Sequence, residues 1–160
     1  MKIGVLGTGW IVMTVTPALK GIPEAECYAI ASRTKERAEE AAKEYGYEKA
    51  YGSYEELVED PAVEFVYVAT PHSRHYEDMM LCIKHGKHVI CDKPLCTSLS
   101  ELDEIEKLVE EKQLKVACML DLRFMPQVSK VKELIMDGEI GNIKIASFTG
   151  QHPLMFSKRP

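Results

Sequence analysis

The sequence predicts an α/β fold: a doubly wound parallel sheet with helices on its faces, followed by the start of a truncated C-terminal α+β domain. Three observations carry this. A strand, a Gly-x-Gly turn and a helix open the chain, from Met1-Lys2-Ile3-Gly4-Val5-Leu6 through Gly7-Thr8-Gly9 to Ala18-Leu19-Lys20. Strand-like and helical stretches then alternate, which is the order that builds a parallel sheet. Near Asp121 the rhythm changes to one helix, one turn and one alternating strand. The expected division is a nucleotide-binding domain over 1–120. A linker helix and the first strand of a second, truncated domain then occupy 121–160.

Each element has a local reason. Gly21-Ile22-Pro23 breaks the first helix, and Glu26–Ala31 reads as the second strand. Thr34 is placed to cap a helix whose Ala38, Ala41, Ala42 and Tyr45 share one face, and Gly46 is placed to stop it. A short strand near Lys49-Ala50-Tyr51 follows. Ser53 with Glu56, and later Ser98 with Glu101, have capping-box spacing. The apolar run 63–69 reads as a buried central strand, closed by Thr70-Pro71. A helix is expected over 73–85, a strand over 87–91, a helix from Ser98 to about Lys112, and a strand over 114–119. In the last part, Val128, Val131, Leu134 and Ile135 fall at helical spacing. Gly138-Glu139-Ile140-Gly141 is a turn, and Ile143–Phe148 alternates as a strand. One strand cannot make a sheet alone, so the chain is expected to be a piece ending just inside its second domain.

Composition narrows the function. The 160 residues suffice for a core, with 46% hydrophobic and 28% charged residues. A formal charge of -5 argues against a nucleic-acid surface. No apolar stretch reaches membrane-spanning length, and no leader peptide is read at the start. A cytoplasmic protein is expected. Cys27, Cys82, Cys91, Cys96 and Cys118 form no C-x-x-C pair, so reduced and mostly buried thiols are expected, with no metal site.

Four strand-to-helix junctions carry the chemistry, because an open parallel sheet binds its ligand at the carboxyl ends of its strands. In the first, Gly7 permits a tight turn, and Gly9 lets backbone approach a pyrophosphate at the start of a helix. Trp10 and Ile11 follow. The third small residue of the dinucleotide fingerprint is replaced by Val12. The second junction, Ala31-Ser32-Arg33-Thr34 with Arg37, offers a hydroxyl and planar cations where a free ribose 2′-hydroxyl would favour an acid. This suits a 2′-phosphate; the bland alternative is a solvated arginine at a helix start. The third is Ala69-Thr70-Pro71 with His75, a histidine that could equally pack or cap. The fourth is Cys91-Asp92-Lys93-Pro94. Here Lys93 could polarise a carbonyl or hydroxyl and Asp92 could orient it, unless the two are an ordinary surface pair.

These pieces, with Arg123-Phe124-x-Pro126 and Gly138-Glu139-Ile140-Gly141, occur in one order and spacing. Together they resemble the glucose-fructose oxidoreductase / inositol dehydrogenase (Gfo/Idh/MocA) family over essentially the whole chain. The resemblance implies an N-terminal Rossmann domain and a C-terminal mixed domain with a large open sheet. It implies hydride transfer between NADP, or NAD, and a small-molecule sugar, cyclitol or dihydrodiol, in a homo-oligomer. By position, Lys93 matches the family's Glu-Lys-Pro lysine beside the nicotinamide, with Asp92 in place of the usual glutamate. Arg123 matches an arginine near nicotinamide and substrate. The implied cofactor contacts are Gly7, Thr8, Gly9, Trp10, Ile11, Ser32, Arg33, Arg37, Ala69, Thr70, Pro71, His75, Asp92, Lys93, Pro94 and Arg123. The family's further catalytic Asp and His would lie beyond position 160. Two other classes compete: a non-catalytic NADP-binding sensor or scaffold, and a methyltransferase-like Rossmann domain. The second fits worse, since it would want an acid where Ser32-Arg33 stand.

Overall fold

The computed structural model describes residues 1–149. It resolves into two compact units, Met1–Leu120 and Asp121–Pro160, the second described as far as residue 149. In the first unit the order is β1 (Lys2–Leu6), α1 (Trp10–Lys20), β2 (Glu26–Ala31), α2 (Lys35–Tyr45), β3 (Lys49–Tyr51), α3 (Tyr54–Glu59) and β4 (Phe65–Val68). A 3-10 turn at His72–Arg74 leads into α4 (His75–Lys84), followed by β5 (His88–Cys91), α5 (Leu99–Lys112) and β6 (Val116–Cys118).

The six strands form one sheet in the order β3-β2-β1-β4-β5-β6, and every pairing is parallel. The order reverses between β1 and β4, whose registers run from Ile3 opposite Phe65 to Leu6 opposite Val68. A crevice for ligand opens at such a reversal, outside the carboxyl ends of the strands.

The strand period of two splits the core between the sheet's faces. On one face Val12, Val15, Leu19 and Ala41 of α1 and α2 pack with Ile3, Val5, Ile30 and Tyr67. On the other, Leu57, Met79, Cys82, Ile83 and Ile105 of α3, α4 and α5 pack with Leu6, Ala29, Val66 and Val68. Each such large side chain contributes about 1.5–3 kcal/mol of transfer free energy. Val12, the departure from the fingerprint, is fully buried in the first cluster, so the α1–β1 contact accommodates its methyl groups. At the opposite sheet edge, Lys87 turns inward and donates to the carbonyls of Asp60 and Val63. Burial there pushes its ammonium pKa down.

Several local expectations change. Strands β4 and β6 are shorter than the apolar runs that suggest them: Val63 is drawn into a turn by its N–H bond to the Asp60 carbonyl, and Leu114 into the end of α5 by its N–H bond to the Val109 carbonyl. Thr34 stands at the N-cap of α2, yet its side chain makes no capping bond. Ser53 caps α3 through the Glu56 N–H, but Glu56 reaches back to the Gly52 N–H, one residue before the cap. At α5 the Ser98–Glu101 capping box is complete. The cysteines are free; Cys82 and Cys91 are buried and the other three half-buried.

In the second unit a 3-10 turn at Asp121–Phe124 precedes α6 (Pro126–Met136), which begins with Pro at its first position. Gly138 and Gly141 take left-handed conformations in the turn that follows. The strand expected at Ile143–Phe148 is absent: those residues carry no ladder, and Ile145 and Phe148 lie exposed. A strand is held by its neighbours, and the described part of this unit supplies none.

Candidate functional site

In the first unit the four junctions meet along the carboxyl edge of the sheet. At the first, Gly7 has φ +103°, and a Cβ there would lie 2.8 Å from the Ala69 carbonyl oxygen. Glycine is thus required twice, by its conformation and by the close approach of the third junction. Its N–H donates to the Ala31 carbonyl, and the Ala69 N–H donates to the Leu6 carbonyl, at 2.9 Å each. Gly9 differs. Its φ of -81° suits any residue, and a Cβ there would meet nothing within 4 Å. The fold does not need this glycine; the open space above it is room for something else. Gly9 is the N-cap of the 11-residue α1, with no side-chain cap and no acid in the first turn. The helix start keeps unsatisfied N–H groups and a positive dipole end for an anion. Trp10 stands exposed beside it, and Ile11 is half-buried.

At the second junction Ser32 is only 5% exposed, with its Oγ 3.5 Å from the Thr8 Oγ1. Its N–H donates to the Tyr51 carbonyl. Arg33 and Arg37 are exposed, and neither forms an ion pair among the described residues. A polar cleft of about 150 Å³ lies between Thr8 and Arg37, walled by Glu40, Ala41, Glu44 and Tyr45.

Two residues outside the sequence reading join this corner. Burial pushes the Tyr54 phenol up, aided by the charge of Asp78 and opposed by Arg74, Arg33 and Arg37. Arg74 is anchored by a 2.9 Å bond to the buried Asp78 and a 3.2 Å pair with Glu77. Extending the junction rule to the residues after β3 would have found Tyr54, and Arg74 lies within the third junction, between Pro71 and His75.

At the third junction Ala69 and Thr70 are buried and Pro71 is exposed. His75 departs from its expected place at the cofactor. Its side chain is 0% exposed, so no atom of it can reach a ligand in the crevice. Nε2 lies 2.9 Å from the Thr70 carbonyl oxygen and Nδ1 2.7 Å from the Pro94 carbonyl oxygen.

At the fourth, the Asp92 N–H donates to the Val68 carbonyl at 3.0 Å. Asp92 does not orient the lysine ammonium as expected: its Oδ1 accepts from the Lys93 backbone N–H at 2.9 Å. The short carboxylate reaches its neighbour's backbone and fixes the turn instead. Lys93 is exposed, and its ammonium has no hydrogen bond or ion pair among the described residues. The Lys93–Pro94 peptide is cis. Arg123 lies in the second unit, exposed in its 3-10 turn. No metal-holding cluster occurs among the described residues, and no described helix is long and apolar enough to cross a membrane.

The chain is similar to known oxidoreductases in sequence and in fold. The chain is 34% identical over 148 residues to a mouse trans-1,2-dihydrobenzene-1,2-diol dehydrogenase, covering 91% of this chain and 44% of the relative. It is 36% identical over 155 residues to a D-xylose 1-dehydrogenase (NADP(+)) from Hypocrea jecorina, covering 89% and 40%. The chain therefore spans less than half the length of these relatives. Among solved structures, a 3-ketoreductase from Actinomadura kijaniata in complex with NADP and TDP-benzene superposes with a TM-score of 0.80. It is 30% identical, over 86% of this chain and 42% of that one. Residues 1–120 match the Gfo/Idh/MocA model, described as an oxidoreductase family with an NAD-binding Rossmann fold, and the chain belongs to that family.

Proposed function

We propose that this chain is the cofactor-binding part of an NADP(H)-dependent oxidoreductase acting on a CH–OH carbon of a sugar, cyclitol or dihydrodiol. The carrying observation is the convergence, on one sheet edge, of an uncapped helix start with two guanidinium groups and an ammonium that have no ion pair among the described residues. The residues fit the cofactor. Gly7, Thr8, Gly9, Trp10 and Ile11 hold the pyrophosphate by backbone N–H groups. Ser32, Arg33 and Arg37 bind the 2′-phosphate. Ala69, Thr70, Pro71, Asp92 and Pro94 wall the crevice. When bound, the nicotinamide supplies or takes up hydride. Lys93 donates to the substrate oxygen, stabilising the charge that grows there or passing a proton to it. Arg123 serves the nicotinamide and substrate. Free cysteines support a reducing, cytoplasmic setting, and the uncovered apolar face of α6 supports a homo-oligomer.

The cofactor reading is tested by affinity. Hydrogen bonds to charged groups are worth about 1.5–3 kcal/mol each, and about 1.4 kcal/mol is tenfold in affinity. Arg33→Ala with Arg37→Ala is expected to weaken NADPH by at least about tenfold while leaving NADH little changed. Equal calorimetric affinities of the parent protein for the two cofactors would overturn the NADP assignment. A non-catalytic sensor is the second reading, favoured by an Asp92 spent on backbone. Turnover by the whole protein with NADP⁺ and D-xylose, an inositol or trans-1,2-dihydrobenzene-1,2-diol separates the two.

A further inference from the structure

We infer that His75 is a positioning residue that ties the third junction to the fourth and so sets where Lys93 stands. The inference rests on the reading of Lys93 as the group at the substrate oxygen. The ring is enclosed and bridges two backbone carbonyls on neighbouring loops, Thr70 after β4 and Pro94 after β5. Strands β4 and β5 are adjacent, with Val68 opposite Cys91. The bridge therefore spans the gap where the sheet's own ladder has ended. The Pro94 carbonyl belongs to the Pro94–Leu95 peptide, so the Nδ1 bond fixes the backbone one peptide beyond the lysine's own. The Asp92 carboxylate fixes the peptide before it. Lys93 is thus bracketed by an anchor at its own N–H and another at the Pro94 carbonyl, while its ammonium has no partner among the described residues, which is how a donor is kept ready for a developing charge. His72 packs edge-on against the His75 ring at 5.4 Å and closes its outer side. Both partners are carbonyl oxygens and a neutral ring donates from one nitrogen only, so each tautomer makes one of the two bonds, and the tie to the fourth junction is the Nδ1 bond to Pro94.

Asn and Gln separate them. The Asn amide nitrogen falls where Nδ1 stands and can donate to Pro94; the Gln amide nitrogen falls where Nε2 stands and can donate to Thr70. Gln is also nearer to His in volume, so a role in packing alone favours Gln. The tie favours Asn. In the full-length protein, His75→Asn is expected to keep amide protection at Lys93 and Leu95 and to keep kcat. His75→Gln is expected to speed hydrogen exchange at those amides and to lower kcat by about tenfold or more, the scale of a small misplacement. NADPH affinity should change less than about twofold in either, because the phosphates are held elsewhere. Equal behaviour of the two variants, or better behaviour of Gln, overturns the tie. The exchange comparison needs no turnover: if Lys93→Met keeps a normal kcat, the lysine reading falls while exchange at residues 93 and 95 still decides the bridge.

Discussion

Lys93→Met in the full-length protein is expected to lower kcat by about 10²–10³, the usual cost of removing one preorganised donor from a developing oxyanion. Methionine keeps the length and apolar stem of lysine and removes the charge. The loss should fall on kcat, because a charge matters more as the substrate oxygen becomes anionic than in the ground state. Cofactor binding should survive, since the contacts proposed for the pyrophosphate and 2′-phosphate lie at the first and second junctions. The geometry supports a large effect: the ammonium has no partner among the described residues to compensate, and its backbone is fixed through Asp92. Steady-state kinetics with NADP⁺ and the best of the three substrates named above would measure it. A near-normal kcat would remove the lysine from the chemistry.

Gly7→Ala is the second large effect, and it concerns the fold first. The φ of +103° is costly for any residue with a Cβ, and the added methyl would sit 2.8 Å from the Ala69 carbonyl. Strained backbone alone costs about 1–3 kcal/mol, and the clash adds to it because the contact is backbone on a neighbouring strand end. Thermal unfolding of the 160-residue chain should show a loss of at least about 2 kcal/mol. Gly9→Ser is the control, since its site is sterically open and serine caps helices well; its stability should stay within about 0.5 kcal/mol. If both variants unfold alike, the asymmetry between the two glycines is wrong.

The fold was legible because several local signals agreed. The Gly-x-Gly turn, the two Ser caps and the apolar run through Val66–Val68 each point to the same alternation, and nothing competes with them. Residue types at the junctions were legible too: Ser32, Arg33 and Lys93 lie just past carboxyl ends of strands, and Arg37 in the first turn of the helix that follows. What could not be read was how side chains share partners. A histidine four residues after a Pro looks the same whether it meets a ligand or two carbonyls, and only burial tells them apart. Asp92 beside Lys93 suggests an ion pair, yet the nearest donor to a short carboxylate is its neighbour's N–H. Arg74 and Tyr54 escaped because their positions in sequence carry no motif; the fold folds three separate junctions onto one corner. The strand over 143–148 failed for the opposite reason. Its alternation is real, but alternation states which face would be buried, not that a partner is present.

The exposed indole at the start of α1 has an optical consequence. Trp10 is the single tryptophan of the chain, and it stands 62% exposed on the turn that would hold the pyrophosphate. All tryptophan emission from this chain thus reports one place. Reduced nicotinamide absorbs in the band where indole emits, whereas the oxidised ring does not. Titration with NADPH should quench Trp10 and sensitise the nicotinamide's own emission, with NADP⁺ giving the smaller change. Unchanged emission on saturation with NADPH would put the cofactor away from this turn. With the cofactor held at this turn as proposed, the chain would carry its own spectroscopic ruler, following occupancy and redox state of the cofactor in the same cuvette without a label.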